Sequence, residues 1–207
     1  MNWVGLTGGI GSGKSTVGQY LKRVGAQVFE ADVLAKTVLE EKKIQVKIFH
    51  AFGKKILQAS GKIDPKKLAE VVFQNRKKLD QLEKIIHPPV IREIKKKIQE
   101  ERGEKSSIGI FIIPLLFEKH LERFFKKVIV VVCLKKKRIE RASRHLKISP
   151  QQVLFRMKHQ MDSKLQMKKA NFIIHNRGTK LELKSETQKV WVELIKIFNI
   201  KGEKKYG

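Results

Sequence analysis

Two rhythms of apolar residues alternate along the chain. Short runs occur at Trp3-Val4-Gly5-Leu6-Thr7, Gln27-Val28-Phe29-Glu30, Ser107-Ile108-Gly109-Ile110-Phe111-Ile112-Ile113, residues 128–132 and Asn171-Phe172-Ile173-Ile174-His175. Each is too brief for a helix, and the continuous ones predict parallel strands covered on both faces. Between them, spacings of three and four predict amphipathic helices. Val17, Tyr20, Leu21 and Val24 mark the first. Leu34, Val38, Leu39, Ile44, Ile48 and Phe49 predict one helix from about Val33 that Gly53 ends.

Residues 56–102 keep the helical rhythm and predict a helical insertion between the second and third strands. Ser60-Gly61 reads as a turn, and Asp64-Pro65 as the N-cap and first residue of a helix carrying Leu68, Val71, Val72 and Phe73. Leu79, Leu82 and Ile86 predict a helix that stops at His87-Pro88-Pro89, with a separate helix after it carrying Val90, Ile91, Ile94 and Ile98. Beyond the fourth strand, residues 135–146 predict a basic helix. Ser149-Pro150 opens another that reaches Gln160. Leu181, Leu183, Val190, Trp191, Leu194 and Ile195 give the apolar face of a last helix, and residues 201–207 read as a frayed tail. Strands alternating with helices predict an α/β fold, a doubly wound five-stranded parallel sheet in one domain over residues 1–207.

Composition narrows the function classes. At 207 residues the chain is long enough for a full core. No apolar run approaches the roughly 20 residues of a membrane span, and no secretion signal is evident, so the expected location is the cytoplasm, with no membrane partner. The single cysteine, Cys133, excludes an internal disulfide and a multi-cysteine zinc site. At the end of an apolar run, it reads as a half-buried strand residue. The charge is strongly positive, +26 from 46 basic and 20 acidic residues, which attracts polyanions. The lysines are spread along the whole chain, however, and no nucleic-acid-binding signature accompanies them, so no specific nucleic-acid partner is expected.

The chemistry starts at Gly8-Gly9-Ile10-Gly11-Ser12-Gly13-Lys14-Ser15, which fits G-x-x-x-x-G-K-[ST] and lies between the first strand and the first helix. Glycines let successive backbone N–H groups converge on phosphates, and the helix N-terminus adds partial positive charge. Lys14 would reach the β- and γ-phosphates, and the Ser15 hydroxyl would hold Mg²⁺. The stretch predicts nucleoside triphosphate binding. It leaves open a small-molecule kinase, a switch GTPase and a nucleic-acid-driven ATPase. The guanine-reading N-K-x-D is absent from the sequence. A kinase needs a carboxylate by the acceptor hydroxyl and cations over the transferring group. Asp32, directly after the second strand, is the candidate carboxylate, as a proton acceptor or an Mg²⁺-ordering group, and it could equally cap the helix that follows. Arg138, Arg141 and Arg144 recur every third residue on a helix and Arg156 lies on the next, which suits either a basic lid or a solvated face.

With these residues in view, the chain resembles the dephospho-CoA kinases. The resemblance rests on residues 4–16, Ala31-Asp32, Phe52-Gly53, Gly61-Lys62-Ile63-Asp64, His87-Pro88, Pro114-Leu115-Leu116-Phe117-Glu118, Arg141, Arg156 with Gln160, and Ala170 with Asn176 and Gly178. It implies a P-loop kinase fold with a helical acceptor-binding insertion at 56–102 and a lid at 135–169. It also implies transfer of the ATP γ-phosphoryl group to the ribose 3′-hydroxyl of dephospho-CoA with Mg²⁺, giving CoA and ADP. By motif, Gly11, Ser12, Gly13, Lys14, Ser15 and Thr16 hold ATP, Asp32 is the base and Arg141 neutralises the transferring group. Thr7, His87, Pro88, Leu115, Leu116 and Glu118 serve the acceptor side, and Ser15 the metal. A nucleoside or nucleotide kinase on the same chassis would differ only in acceptor. Five positions depart from the family pattern: Glu30, Pro65, Arg138, His145 and Asn171 stand where Asp, Arg, Gln, Arg and Asp are usual.

Overall fold

A computed structural model describes residues 1–73, 75–101 and 107–200. The elements are β1 (Asn2–Thr7), α1 (Lys14–Arg23), β2 (Gln27–Glu30), α2 (Ala31–Glu40), α3 (Lys42–Phe52), α4 (Pro65–Phe73), α5 (Arg76–Glu100), β3 (Ile108–Ile112), β4 (Lys127–Val132), α6 (Lys135–Leu146), α7 (Pro150–Met157), α8 (Ser163–Lys169), β5 (Phe172–His175) and α9 (Lys180–Ile197). Among the described residues the strands form one five-stranded, all-parallel sheet in the order β2-β3-β1-β4-β5. This is the doubly wound sheet that the alternating pattern predicts. The expected frayed tail, 201–207, lies outside the described residues.

The chain divides into two compact units, Met1–Glu30 with Ile98–Gly207, and Ala31–Lys97. The first contains the sheet. Strand residues alternate faces, and in the central strands β1, β3 and β4 both faces are buried, which explains their unbroken apolar runs. Val4 and Leu6 of β1, with Ile110 and Ile112 of β3, join Val17 and Leu21 of α1 and Leu183, Trp191 and Leu194 of α9. The opposite face carries Trp3, Phe29, Phe111 and Phe125, whose ring centroids lie 5.3–6.2 Å apart. Gly5 leaves room on that face for Leu116 and Phe125, which a Cβ would strike. Each buried aromatic or aliphatic side chain contributes about 1.5–3 kcal/mol, so this sheet is a rigid base for the loops at its carboxyl edge.

The second unit is helical. The single helix expected from Val33 to Gly53 is two helices, α2 and α3, broken at Glu41, whose backbone is extended (φ −66°, ψ 125°). The six-residue step from Val38 to Ile44 is out of phase with one helical stripe, and the chain resolves it by breaking. Gly53 does end α3, with φ 73°. The turn at Ser60-Gly61 is present, closed by an isolated bridge between Leu57 and Ile63. Asp64 Oδ1 accepts from Lys66 N at 2.8 Å and Lys67 N at 3.3 Å, capping α4 ahead of Pro65 as expected.

The expected stop at His87-Pro88-Pro89 does not occur: α5 runs through both prolines. Proline in a helix interior costs about 3 kcal/mol or more, and these two remove the donors for the carbonyls of Lys84 and Ile85. The apolar stripe Leu82, Ile86, Val90, Ile94, Ile98 keeps an unbroken spacing of four across them, with Val90, Ile94 and Ile98 buried. At about 1.5–3 kcal/mol each, those side chains contribute on the scale of the loss and help offset it.

The C-terminal half differs from expectation in three places. The helix from Pro150 ends at Met157 instead of reaching Gln160, and a further helix, α8, opens at Asp162, whose side chain accepts from Lys164 N at 2.8 Å. Leu181 is 79% exposed, so it does not belong to the apolar face of α9. Asn171 Oδ1 accepts from Val128 N at 2.8 Å, tying the entry of β5 to β4.

Candidate active site

The loop between β1 and α1 opens at the carboxyl edge of the central strand. Gly11 (φ 72°) and Gly13 (φ 101°) adopt left-handed backbone conformations that other residues reach only with strain. A Cβ on Gly13 would also collide with the Asn176 amide. Gly13 caps α1 without a side-chain hydrogen bond, and the first turn of α1 holds no acid. Its amide donors therefore face the loop with the helix dipole behind them, the arrangement that favours a phosphate. Lys14 Nζ donates to the carbonyls of Gly8 at 2.8 Å and Gly9 at 3.1 Å, folding its ammonium onto the loop. Ser12 and Thr7 are buried, and among the described residues neither hydroxyl oxygen has a hydrogen-bond partner. Ser15 is exposed and Thr16 partly so, on the first turn of α1.

Residues distant in sequence hold this loop. Gln160 Oε1 accepts from Ile10 N at 2.7 Å, and Arg138 Nε donates to Ile10 O at 3.0 Å, so the peptide groups on either side of Ile10 are both held. Asn176 Nδ2 donates to Ser12 O at 2.8 Å from the turn after β5. Each such bond is worth about 1 kcal/mol net, and leaving a buried partner unsatisfied costs about 1–3 kcal/mol. Nothing in the sequence assigns Gln160 or Asn176 a role at the loop, and Arg138 reads there as a departure on a basic helix. A buried arginine in a lysine-rich helix carries no signal in the chain itself.

Arg141 Nη2 donates to Gly178 O at 3.3 Å, and its Nη1 lies 3.6 Å from Cys133 Sγ. The guanidinium is thus held at the carboxyl edge of the sheet. Cys133 is a free, partly buried thiol just past β4. Arg144, by contrast, is 79% exposed and pairs with Glu140 at 2.8 Å on the surface, and His145 is exposed. Burial lowers the Arg156 pKa from its ordinary value. Leu116 is fully buried and Leu115 partly so. Glu118 Oε1 accepts from Met161 N at 2.6 Å, which ties the segment after β3 to the turn before α8. A cavity of about 860 Å³ opens beside the loop, with Cys133, Arg138, Leu154, Gln160, Met161 and Asn176 among its walls. That volume suits a nucleotide.

In the helical unit, Asp32 lies in the first turn of α2, two residues after the carboxyl end of β2, and its side chain is exposed. The helix starts at Ala31, so Asp32 is inside the first turn and is not the cap residue. His87 is half-buried on α5, with Nδ1 3.7 Å from Glu83 Oε2, and Pro88 is exposed. Among the described residues no group of three His, Cys, Asp or Glu could hold a metal ion, and no helix is long and apolar enough to cross a membrane.

Comparison with known proteins agrees with this reading. The profile of the dephospho-CoA kinase family matches residues 2–182. A dephospho-CoA kinase of Fusobacterium nucleatum is 41% identical over 175 residues, covering 84% of this chain and 89% of that one. Among solved structures, dephospho-CoA kinase from Campylobacter jejuni superposes with a TM-score of 0.65 at 30% identity, covering 93% of this chain and 97% of that one. A protein from Thermus thermophilus does so with a TM-score of 0.77 at 29% identity, over 94% and 97%. A shikimate kinase from Acinetobacter baumannii, at 14% identity and a TM-score of 0.52, shares the fold. A glycine loop held between strand and helix on a 2-3-1-4-5 sheet, matched over most of its length by these relatives, places the chain in the dephospho-CoA kinase family.

Proposed function

We infer that this chain transfers the γ-phosphoryl group of ATP to the ribose 3′-hydroxyl of dephospho-CoA, releasing CoA and ADP. Family membership carries the kinase activity. The observation that supports the reading best is the loop itself, an uncapped helix start behind left-handed glycines with a lysine ammonium folded against it. Gly11 to Thr16 bind the triphosphate, and Lys14 leaves the loop carbonyls for the β- and γ-oxygens. Asp32 accepts the proton of the attacking 3′-hydroxyl. The bond from that oxygen to the γ-phosphorus forms as the bond to the β,γ-bridging oxygen breaks, and ADP departs with that oxygen. Arg141, anchored on Gly178, counters charge on the transferring group.

To the acceptor we assign residues 56–102 with His87 and Pro88, and also Thr7, Leu115, Leu116 and Glu118, and to the lid residues 135–169. The Ser15 hydroxyl, an exposed hard oxygen at the start of α1, fits Mg²⁺, which keeps water and substrate phosphates as most of its ligands. When bound, the ion would neutralise phosphate charge. ATP as co-substrate supports a cytoplasmic location for the reaction. The test is incubation of purified protein with dephospho-CoA and γ-labelled ATP. Label at the 3′-position is expected, unchanged by added nucleic acid. ATP hydrolysis driven by nucleic acid, with no labelled CoA, would overturn the reading.

A further inference from the structure

Arg138 is only 7% exposed, although it lies on one of the most basic helices of the chain. Its Nε donates to Ile10 O at 3.0 Å and its Nη1 to Ser163 Oγ at 3.0 Å, the first residue of α8. The guanidinium lies against Gly9, where a Cβ would collide with it, and its own main-chain carbonyl lies against Gly11. Two loop glycines are therefore required by this one residue as much as by phosphate. Burial pulls the Arg138 pKa down, and the fields of Cys133 and Asp162 push the other way. Arginine nonetheless stays charged at any working pH. Among the described residues no carboxylate pairs with it directly, so its acceptors are neutral. A buried cation with neutral partners is expensive unless an anion joins it.

We propose that Arg138 is a positioning residue of the phosphate loop and a cation built into it, whose burial is compensated when a triphosphate occupies the loop. The proposal rests on the ATP-binding role given above. Its bond to Ile10 O fixes that carbonyl while Gln160 holds the N–H of the same residue. The bond to Ser163 makes the loop sense where α8 starts, so the segment from α6 to α8 and the nucleotide are coupled through one side chain.

The test measures ATP affinity by calorimetry without acceptor, together with kcat, both KM values and the melting temperature without nucleotide. For Arg138→Met the Kd for ATP should rise tenfold or more, with the KM for dephospho-CoA within twofold and the melting temperature within about 3 °C of the parent. Arg138→Lys, which keeps charge but not the forked bonds, should fall between the two. Ser163→Ala should raise the Kd about two- to threefold, and it keeps the test usable if Arg138→Met does not fold. An ATP Kd within twofold of the parent in Arg138→Met or, should that variant not fold, an unchanged Kd in Ser163→Ala, overturns the proposal. So does a loss of affinity matched by a large drop in melting temperature, or Arg138→Lys binding no better than Arg138→Met. Parental protein that binds no ATP would instead overturn the reading on which the proposal stands.

Discussion

The phosphate loop and the helical unit hold their candidate residues in opposite ways. At the loop, Gln160, Arg138 and Asn176 arrive from three separate segments and fix three peptide groups of a stretch more than a hundred residues away. In the helical unit, Asp32 is exposed on a first helical turn and His87 has Glu83 of its own helix 3.7 Å away. The first arrangement is preorganised by long-range bonds. In the second, Asp32 and His87 are carried on helices, with Glu83 one turn before His87 on the same helix. Gripping a triphosphate needs many donors fixed in advance, whereas proton transfer needs one group free to reach a substrate that is not yet there.

Substitutions sharpen this contrast. Lys14→Ala should abolish detectable turnover, the largest effect, read in a coupled ADP assay. Asp32→Asn should lower kcat by about 10²–10⁴, the range for a positioned base. Asn176→Ala strands the buried Ser12 carbonyl, at about 1–3 kcal/mol, and should weaken ATP about tenfold in a calorimetric titration. His87→Ala should raise the KM for dephospho-CoA severalfold and leave that for ATP alone. Arg144→Ala should change stability by less than about 0.5 kcal/mol in urea unfolding, since its pair with Glu140 is exposed. An Arg144 effect as large as that of Asn176 would break the contrast.

The strands were legible because residues such as Ile108–Ile112 are buried on both faces and read as an unbroken apolar run. The glycine loop was legible because its backbone needs particular residue types at fixed spacing. What escaped reading depends on partners far along the chain. Pro88 and Pro89 look like a stop, and only the unbroken stripe from Leu82 to Ile98 indicates that tertiary burial overrides them. Arg138 looks like one more solvated cation, because nothing local distinguishes it from Arg144. The difference lies in Ile10 and Ser163, which the fold brings to it. Gln160 leaves the helical pattern early, since its amide serves the loop.

On the proposed function, gripping the nucleotide and activating the acceptor fall to different residues. The most direct measurement is ATP Kd and kcat on the same preparations of Asp32→Asn and Asn176→Ala. Asp32→Asn should keep the parental Kd within about threefold while losing at least a hundredfold in kcat. Asn176→Ala should weaken ATP while retaining most of kcat at saturation. Parental kcat in Asp32→Asn, or equal losses of both quantities in both variants, would contradict it.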